Sequence, residues 1–175
     1  CSGVVVTHDD ADQTRRCVES VYANTQREFE LILVDNGSGP AIREFADCLQ
    51  SKRGNSLYIR NASNEGPAFG WNQGISAARG EWIVLLKNRA VVTPQWLGRM
   101  LAVASLDRGI GIVGACSKPR SDVPARSQHA DPEDLSGLAD GWFLQHAGQI
   151  SFAARVDDVC SLLRQEALDR VGGFD

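Results

Sequence analysis

Leu31-Ile32-Leu33-Val34-Asp35-Asn36-Gly37-Ser38-Gly39-Pro40 decides how this chain is read. Four successive apolar residues describe a strand covered on both faces, since a strand with one wet face would alternate. Asp, Asn, Gly, Ser and Pro then stop it abruptly, each suited to turns for its own reason. Such a strand is the unit of a parallel sheet packed between helices.

The pattern repeats on either side. Upstream, Val4-Val5-Val6 reads as a strand, and residues 12–24 as a helix with Cys17, Val18, Val21 and Tyr22 on one face. Downstream come a helix at 41–51, a strand at Leu57-Tyr58-Ile59, a helix at 67–79 stopped by Gly80, and a strand from Trp82 to Leu86. Thr93-Pro94 reads as a cap followed by Pro at the first helical position. Trp96, Leu97, Met100, Leu101 and Ala104 mark that helix's buried face, and Ile110 to Ala115 is a fifth strand. Strand and helix alternating in this way predict an α/β fold with right-handed crossovers. Ligands of such sheets bind beyond the carboxyl ends of the strands. Those ends are Thr7-His8-Asp9, Asp35-Asn36 and Lys87-Asn88-Arg89.

Residues 117–140 break the rhythm, being rich in Ser, Asp, Pro and Arg, and read as a mobile surface loop. Gly141-Trp142-Phe143 resumes the chain. An apolar segment at Val159–Leu163 and a helix at 165–171, stopped by Gly172-Gly173, complete it.

A length of 175 residues, 43% of them hydrophobic and 23% charged, suits one compact soluble domain. A net charge of −4 without any Lys/Arg run gives no footprint for nonspecific nucleic-acid binding. No stretch approaches the roughly 20 apolar residues of a membrane span. The opening is strand-like, so no leader is expected in it, and Cys at position 1 reads as the start of an excised segment. Five scattered cysteines without CxxC spacing read as small buried hydrophobes in a reducing cytoplasm. His8, His129 and His146 lack metal-ligand spacing and read as surface or packing residues. There is no GxGxxG or GxxxxGK[ST] phosphate cradle.

One ordered set of segments carries a resemblance. It runs from Val4-Val5-Val6-Thr7 through Leu33-Val34-Asp35-Asn36-Gly37-Ser38, Asn64-Glu65-Gly66, Asn72-Gln73-Gly74 and Ala78-Arg79-Gly80-Glu81-Trp82. It continues with Val92-Thr93-Pro94 and Trp96-Leu97, and closes with Arg164, Glu166 and Val171-Gly172-Gly173-Phe174-Asp175. In this order and spacing the chain resembles the inverting family 2 glycosyltransferases of the GT-A fold, most of all the bacterial polysaccharide and rhamnosyltransferase-like branch. The resemblance implies a mostly parallel, Rossmann-like sheet flanked by helices and C-terminally truncated. It implies a nucleotide-sugar-binding half at 1–115, the loop at 117–140, and the start of an acceptor-side half at 141–175.

The resemblance also implies a function and a site. A sugar would pass from a UDP, dTDP or GDP donor to a polysaccharide or lipid-linked acceptor, in the cytoplasm or at the inner face of the membrane. Thr7, Asp9, Asp35 and Asn36 would hold the base and ribose, whose polar edges suit carboxylate and amide partners. Two plainer readings stand beside this: Asp35 and Asn36 as turn formers, and Asp9, Asp10 or Asp12 as a helix cap. Asn64, Gly66 and Asn72 fall in the family's Asn-x-Gly regions, Gly66 allowing a tight path near the donor and Asn72 equally readable as a satisfied helix amide. Trp71 and Trp82 read as packing residues.

Two departures from the family pattern bear on chemistry. The family's metal-binding Asp, which holds Mg2+ or Mn2+ against the donor diphosphate, falls here on Arg89 within Leu86-Lys87-Asn88-Arg89-Ala90. A guanidinium repels a hard dication and cannot ligate it, so the metal ligand is read as lost. Either Lys87 and Arg89 replace the metal electrostatically, sharing one side if the segment stays extended, or the domain is a noncatalytic binding or scaffold module, or both cations are simply solvated. The family's usual general base follows the Gly-Gly-Phe-Asp segment, so no catalytic residue is assigned. Asp157 and Asp158 are candidates for the acceptor side only.

Overall fold

The computed structural model describes residues 1–115, 132–146, 149–156 and 158–175. In chain order the elements are β1 (Ser2–Thr7), α1 (Ala11–Asn24), β2 (Glu30–Asp35), α2 (Pro40–Lys52), β3 (Ser56–Arg60), α3 (Pro67–Ala77) and β4 (Trp82–Lys87). After them come α4 (Trp96–Ala104), β5 (Ile112–Gly114), α5 (Pro132–His146), β6 (Cys160–Arg164) and α6 (Gln165–Val171). The strands form one sheet in the order β3-β2-β1-β4-β6-β5. β3, β2, β1 and β4 are mutually parallel, whereas β6 runs antiparallel to both β4 and β5.

The apolar runs are continuous because both faces are covered. Val5, Leu31, Leu33, Val84 and Leu86 pack on one side with Cys17, Val18 and Val21 of α1, Phe45 and Leu49 of α2, and Leu97 and Met100 of α4. Val4, Ile32, Val34, Ile83 and Leu85 pack on the other with Leu168 of α6 and with Trp71 and Ile75 of α3. Neighbouring residues of each strand therefore serve opposite layers, as the period of two requires.

α3 lies unusually close to β1. A Cβ built on Gly70 would stand 2.7 Å from Val6 Cγ1, and one on Gly74 2.2 Å from Val4 Cγ1. These glycines sit four residues apart on one helix face, and their missing side chains let the helix backbone settle onto the sheet. That approach brings Gly66, the residue capping α3, to the carboxyl edge of the strands. It adopts φ 86°, which favours glycine.

Three readings need correction. Residues 132–140, taken as part of the loop, belong to α5, and residues 117–131 lie outside the described residues. Pro132 holds the first helical position, where a missing N–H costs nothing. Thr93-Pro94 does not cap α4: a turn intervenes, with Trp96 N donating to Thr93 O at 3.2 Å, and the helix begins after Gln95. The cysteines are not uniformly buried. Cys17 and Cys160 are, and burial pushes both thiols up to about 12, but Cys48 is exposed and Cys1 half-buried. Cys116 lies outside the described residues.

Candidate functional site at the carboxyl edge of the sheet

Thr7, Asp35 and Arg60 stand side by side in register at the ends of β1, β2 and β3. Thr7 is buried and shares a 2.7 Å hydrogen bond with Thr14 of α1. The chain then turns sharply, with Asp9 at φ 54° and Asp10 at φ 43°. Asp tolerates this left-handed region better than most residues. The cap of α1 is Asp10, whose Oδ1 accepts from Gln13 N at 3.3 Å; Asp9 and Asp12 do not serve. Asp9 instead stitches two turns together: its N–H donates to Ser38 Oγ (2.8 Å) and its Oδ1 accepts from Gly39 N (2.9 Å). The ring of His8 stays about half exposed while its Nδ1 meets Asn36 O at 2.8 Å.

Asp35 is fully buried. One carboxylate oxygen accepts from Ser38 N at 2.7 Å; the other accepts from Tyr58 OH at 2.7 Å and Arg60 Nη1 at 2.5 Å. Arg60 also donates to Ser38 O at 2.9 Å. Burial disfavours the charge, but the Ser38 and Tyr58 hydrogen bonds and the Arg60 cation outweigh it and hold the carboxyl below its ordinary range. Asn36 is likewise engaged, donating to Gly66 O (2.8 Å) and accepting from Asn61 Nδ2 (2.7 Å), which in turn reaches Gln73. Asn64 Oδ1 accepts from Gly66 N at 3.0 Å, shaping the entry to α3.

Asn72 faces the C-terminal segment. Its amide holds the backbone of Phe174 at both groups, donating to the carbonyl (2.7 Å) and accepting from the N–H (2.8 Å). The ring of Phe174 lies 5.5 Å from that of Trp71, and a Cβ on Gly173 would come within 2.4 Å of Asn72 Oδ1. Trp71 and Trp82 are packing residues as expected, each against a core cluster, with Arg164 over the Trp82 ring at 4.3 Å.

At the end of β4 the extended reading of 87–89 is overturned. The strand stops at Lys87, and a turn closes with Ala90 N donating to Lys87 O at 2.9 Å. Lys87 and Arg89 therefore do not share a side by strand alternation. Lys87, in register with Val6, leaves on the α3 side and pairs with Asp158 Oδ2 at 2.5 Å. Asn88 turns to the α1 side, its amide 3.5 Å from Thr7 Oγ1. Arg89 is exposed and pairs with no carboxylate among the described residues. Asp157 lies outside the described residues.

Among the described residues, the donor set at this edge does not fit Mg2+ or Mn2+. The position to which the resemblance assigns the acid is a guanidinium, and the Asp158 carboxylate is already paired with the Lys87 ammonium. Among the described residues no group of three or more His, Cys, Asp or Glu side chains could hold a metal ion. Two shallow hollows, each lined in part by Asn72 and Ser76, lie along α3 rather than over the strand ends.

Thr7, Asp35 and Asn36 stand at the strand ends as read from sequence, but that reading omits Tyr58 and Arg60, which hold Asp35, and Asn61, which holds Asn36 and is itself held by Gln73. The same rule applied to β3 points to Arg60, a charged residue directly after the apolar run Leu57–Ile59.

Comparison with known proteins identifies the family and the fold. Residues 2–172 match the family model described as Glycosyl transferase family 2. The chain is 30% identical over 188 residues to the uncharacterized protein y4gI of Sinorhizobium fredii (strain NBRC 101917 / NGR234), covering 98% of this chain and 20% of that protein. It is 33% identical over 98 residues to the succinoglycan biosynthesis protein ExoO of Rhizobium meliloti (strain 1021), covering 56% and 28%. Among solved structures it resembles the mannosyltransferase PcManGT from Pyrobaculum calidifontis in complex with GDP-Man and Mn2+. The TM-score is 0.76 at 17% identity, over 99% of this chain and 47% of that one. The fold is therefore GT-A. The chain spans less than half the length of each of these relatives. No helix among the described residues is long and apolar enough to cross a membrane.

Proposed function

Since the chain belongs to glycosyl transferase family 2, we propose that it is the donor-binding part of an inverting transferase that meets the donor diphosphate with side-chain cations instead of a metal ion. The donor is a UDP-, dTDP- or GDP-sugar and the acceptor a polysaccharide or lipid-linked saccharide, in keeping with the succinoglycan biosynthesis protein among its relatives. The chain's own groups at the diphosphate are Arg89 and Lys87. As the acceptor hydroxyl attacks the anomeric carbon, charge grows on the departing diphosphate. A guanidinium placed there stabilises it through paired, charge-assisted hydrogen bonds. No general base is assigned among the residues of this chain.

One observation carries this reading. Arg89 is exposed, has no ion-pair partner among the described residues, and directly follows Asn88, whose amide is 3.5 Å from Thr7 Oγ1 at the end of β1. Titration with UDP, dTDP and GDP, with and without Mn2+, tests it. Binding without metal is expected, weakened about tenfold or more by Arg89→Ala, as befits loss of a charge-assisted hydrogen bond. Binding that requires Mn2+ overturns cationic replacement.

The second reading, a noncatalytic scaffold of a larger envelope-polysaccharide protein, is favoured by a different observation. The side chains of Asp35, Asn36 and Asn72 are all engaged by protein partners. Absence of binding to all three nucleotides selects it.

A further inference from the structure

The two cations at the end of β4 are not equivalent. Arg89 is open, whereas the Lys87 ammonium is held by Asp158 Oδ2 at 2.5 Å. Resting on the diphosphate reading above, we infer that Asp158 is a built-in competitor for the diphosphate. Its carboxylate occupies Lys87, and a diphosphate displaces it to engage that ammonium.

Three features support the exchange. Carboxylate and phosphate oxygens are both anionic acceptors, and an ammonium presents them the same three donors. The carboxylate is delivered by the backbone: Lys87 N donates to Val159 O at 3.0 Å, and Leu86 pairs with Cys160 in the ladder. Asp158 is thus tethered beside Lys87 and competes at a high effective concentration. The pair is also weak enough to yield, with the Lys87 side chain 28% exposed and that of Asp158 56%. Ion pairs this open to water are worth little, and a pyrophosphate group carries more charge than the carboxylate it replaces. Donor binding would then release Asp158 at the entry to β6, so that the two halves of the sheet edge sense one another through one ammonium.

The test is calorimetric titration of the full chain with inorganic pyrophosphate and with UDP, at low salt and without metal. Asp158→Asn should tighten both about fivefold, equivalent to about 1 kcal/mol at 1.4 kcal/mol per tenfold. Lys87→Met should weaken both, and adding Asp158→Asn to it should change nothing more. Glu166→Gln removes an equal charge from α6, where Arg170 is its partner. It should leave the affinity unchanged. Asp158→Ser repeats the charge removal should Asp158→Asn melt early. Wild-type binding that Asp158→Asn leaves equal or weakens overturns the competition while the diphosphate reading stands. Equal tightening by Glu166→Gln also overturns it. Failure of every form to bind either ligand overturns both.

Discussion

The Asp35 carboxylate accepts from Ser38, Tyr58 and Arg60 together, and its acidity follows from that company. Because its folded pKa lies below the ordinary carboxylate value of 3.8, the folded state binds the proton less readily than the unfolded chain. Its stabilising contribution is complete above that value and is lost as pH falls through the lower, folded one. Asp35→Asn should therefore cost about 2–3 kcal/mol near neutrality, the worth of a hydrogen bond to a charged group. The difference from wild type should shrink on acidification, as read from urea unfolding at a series of pH values. A gap that stays constant with pH would remove the carboxylate from the account. At Asn72 the prediction separates ligand from clasp. Asn72→Ala should speed amide exchange at Phe174, losing about 1 kcal/mol per hydrogen bond, while nucleotide affinity stays as it was. Lost affinity with unchanged exchange would make Asn72 a donor contact after all.

Among the elements, α3 is tuned for closeness rather than helix propensity. Gly→Ala in an exposed helix interior gains about 1 kcal/mol. At Gly74 the new Cβ meets Val4 Cγ1, and overpacking of that kind costs about 1–3 kcal/mol. Gly74→Ala should thus destabilise, whereas Gly98→Ala in α4, where a Cβ meets nothing within 4 Å, should stabilise. Thermal melts of the two variants compare them directly, and a shift of the same sign in both would refute the packing argument. Elements with a buried stripe were readable from sequence to within a few residues, because burial imposes its period on composition. α5 was not. Its Leu138, Trp142, Phe143 and Leu144 are all exposed, and Gly137 and Gly141 interrupt it, so no apolar face marks it as a helix. Arg99 helps to fasten it, paired with Asp140 at 3.0 Å and lying over the Phe143 ring at 4.0 Å, a long-range contact invisible in local pattern.

At the scale of the molecule, the edge proposed as the site was legible because topology alone selects the carboxyl ends of parallel strands. The fate of each side chain there was not. Whether Asp35 meets a ligand or Arg60 depends on register between strands whose order the sequence does not declare. Strand order has one more consequence. Among the described residues β5 bonds only to β6, and β6 joins it to the parallel strands. On a ribosome, residues 112–114 emerge well before 160–164, so β5 must wait for a partner not yet synthesised. Meanwhile β4 presents a bare apolar border, Ile83 to Leu86, to whatever strand is nearby. Translation of the intervening 45 residues is the interval in which this chain is most exposed to pairing with the wrong neighbour.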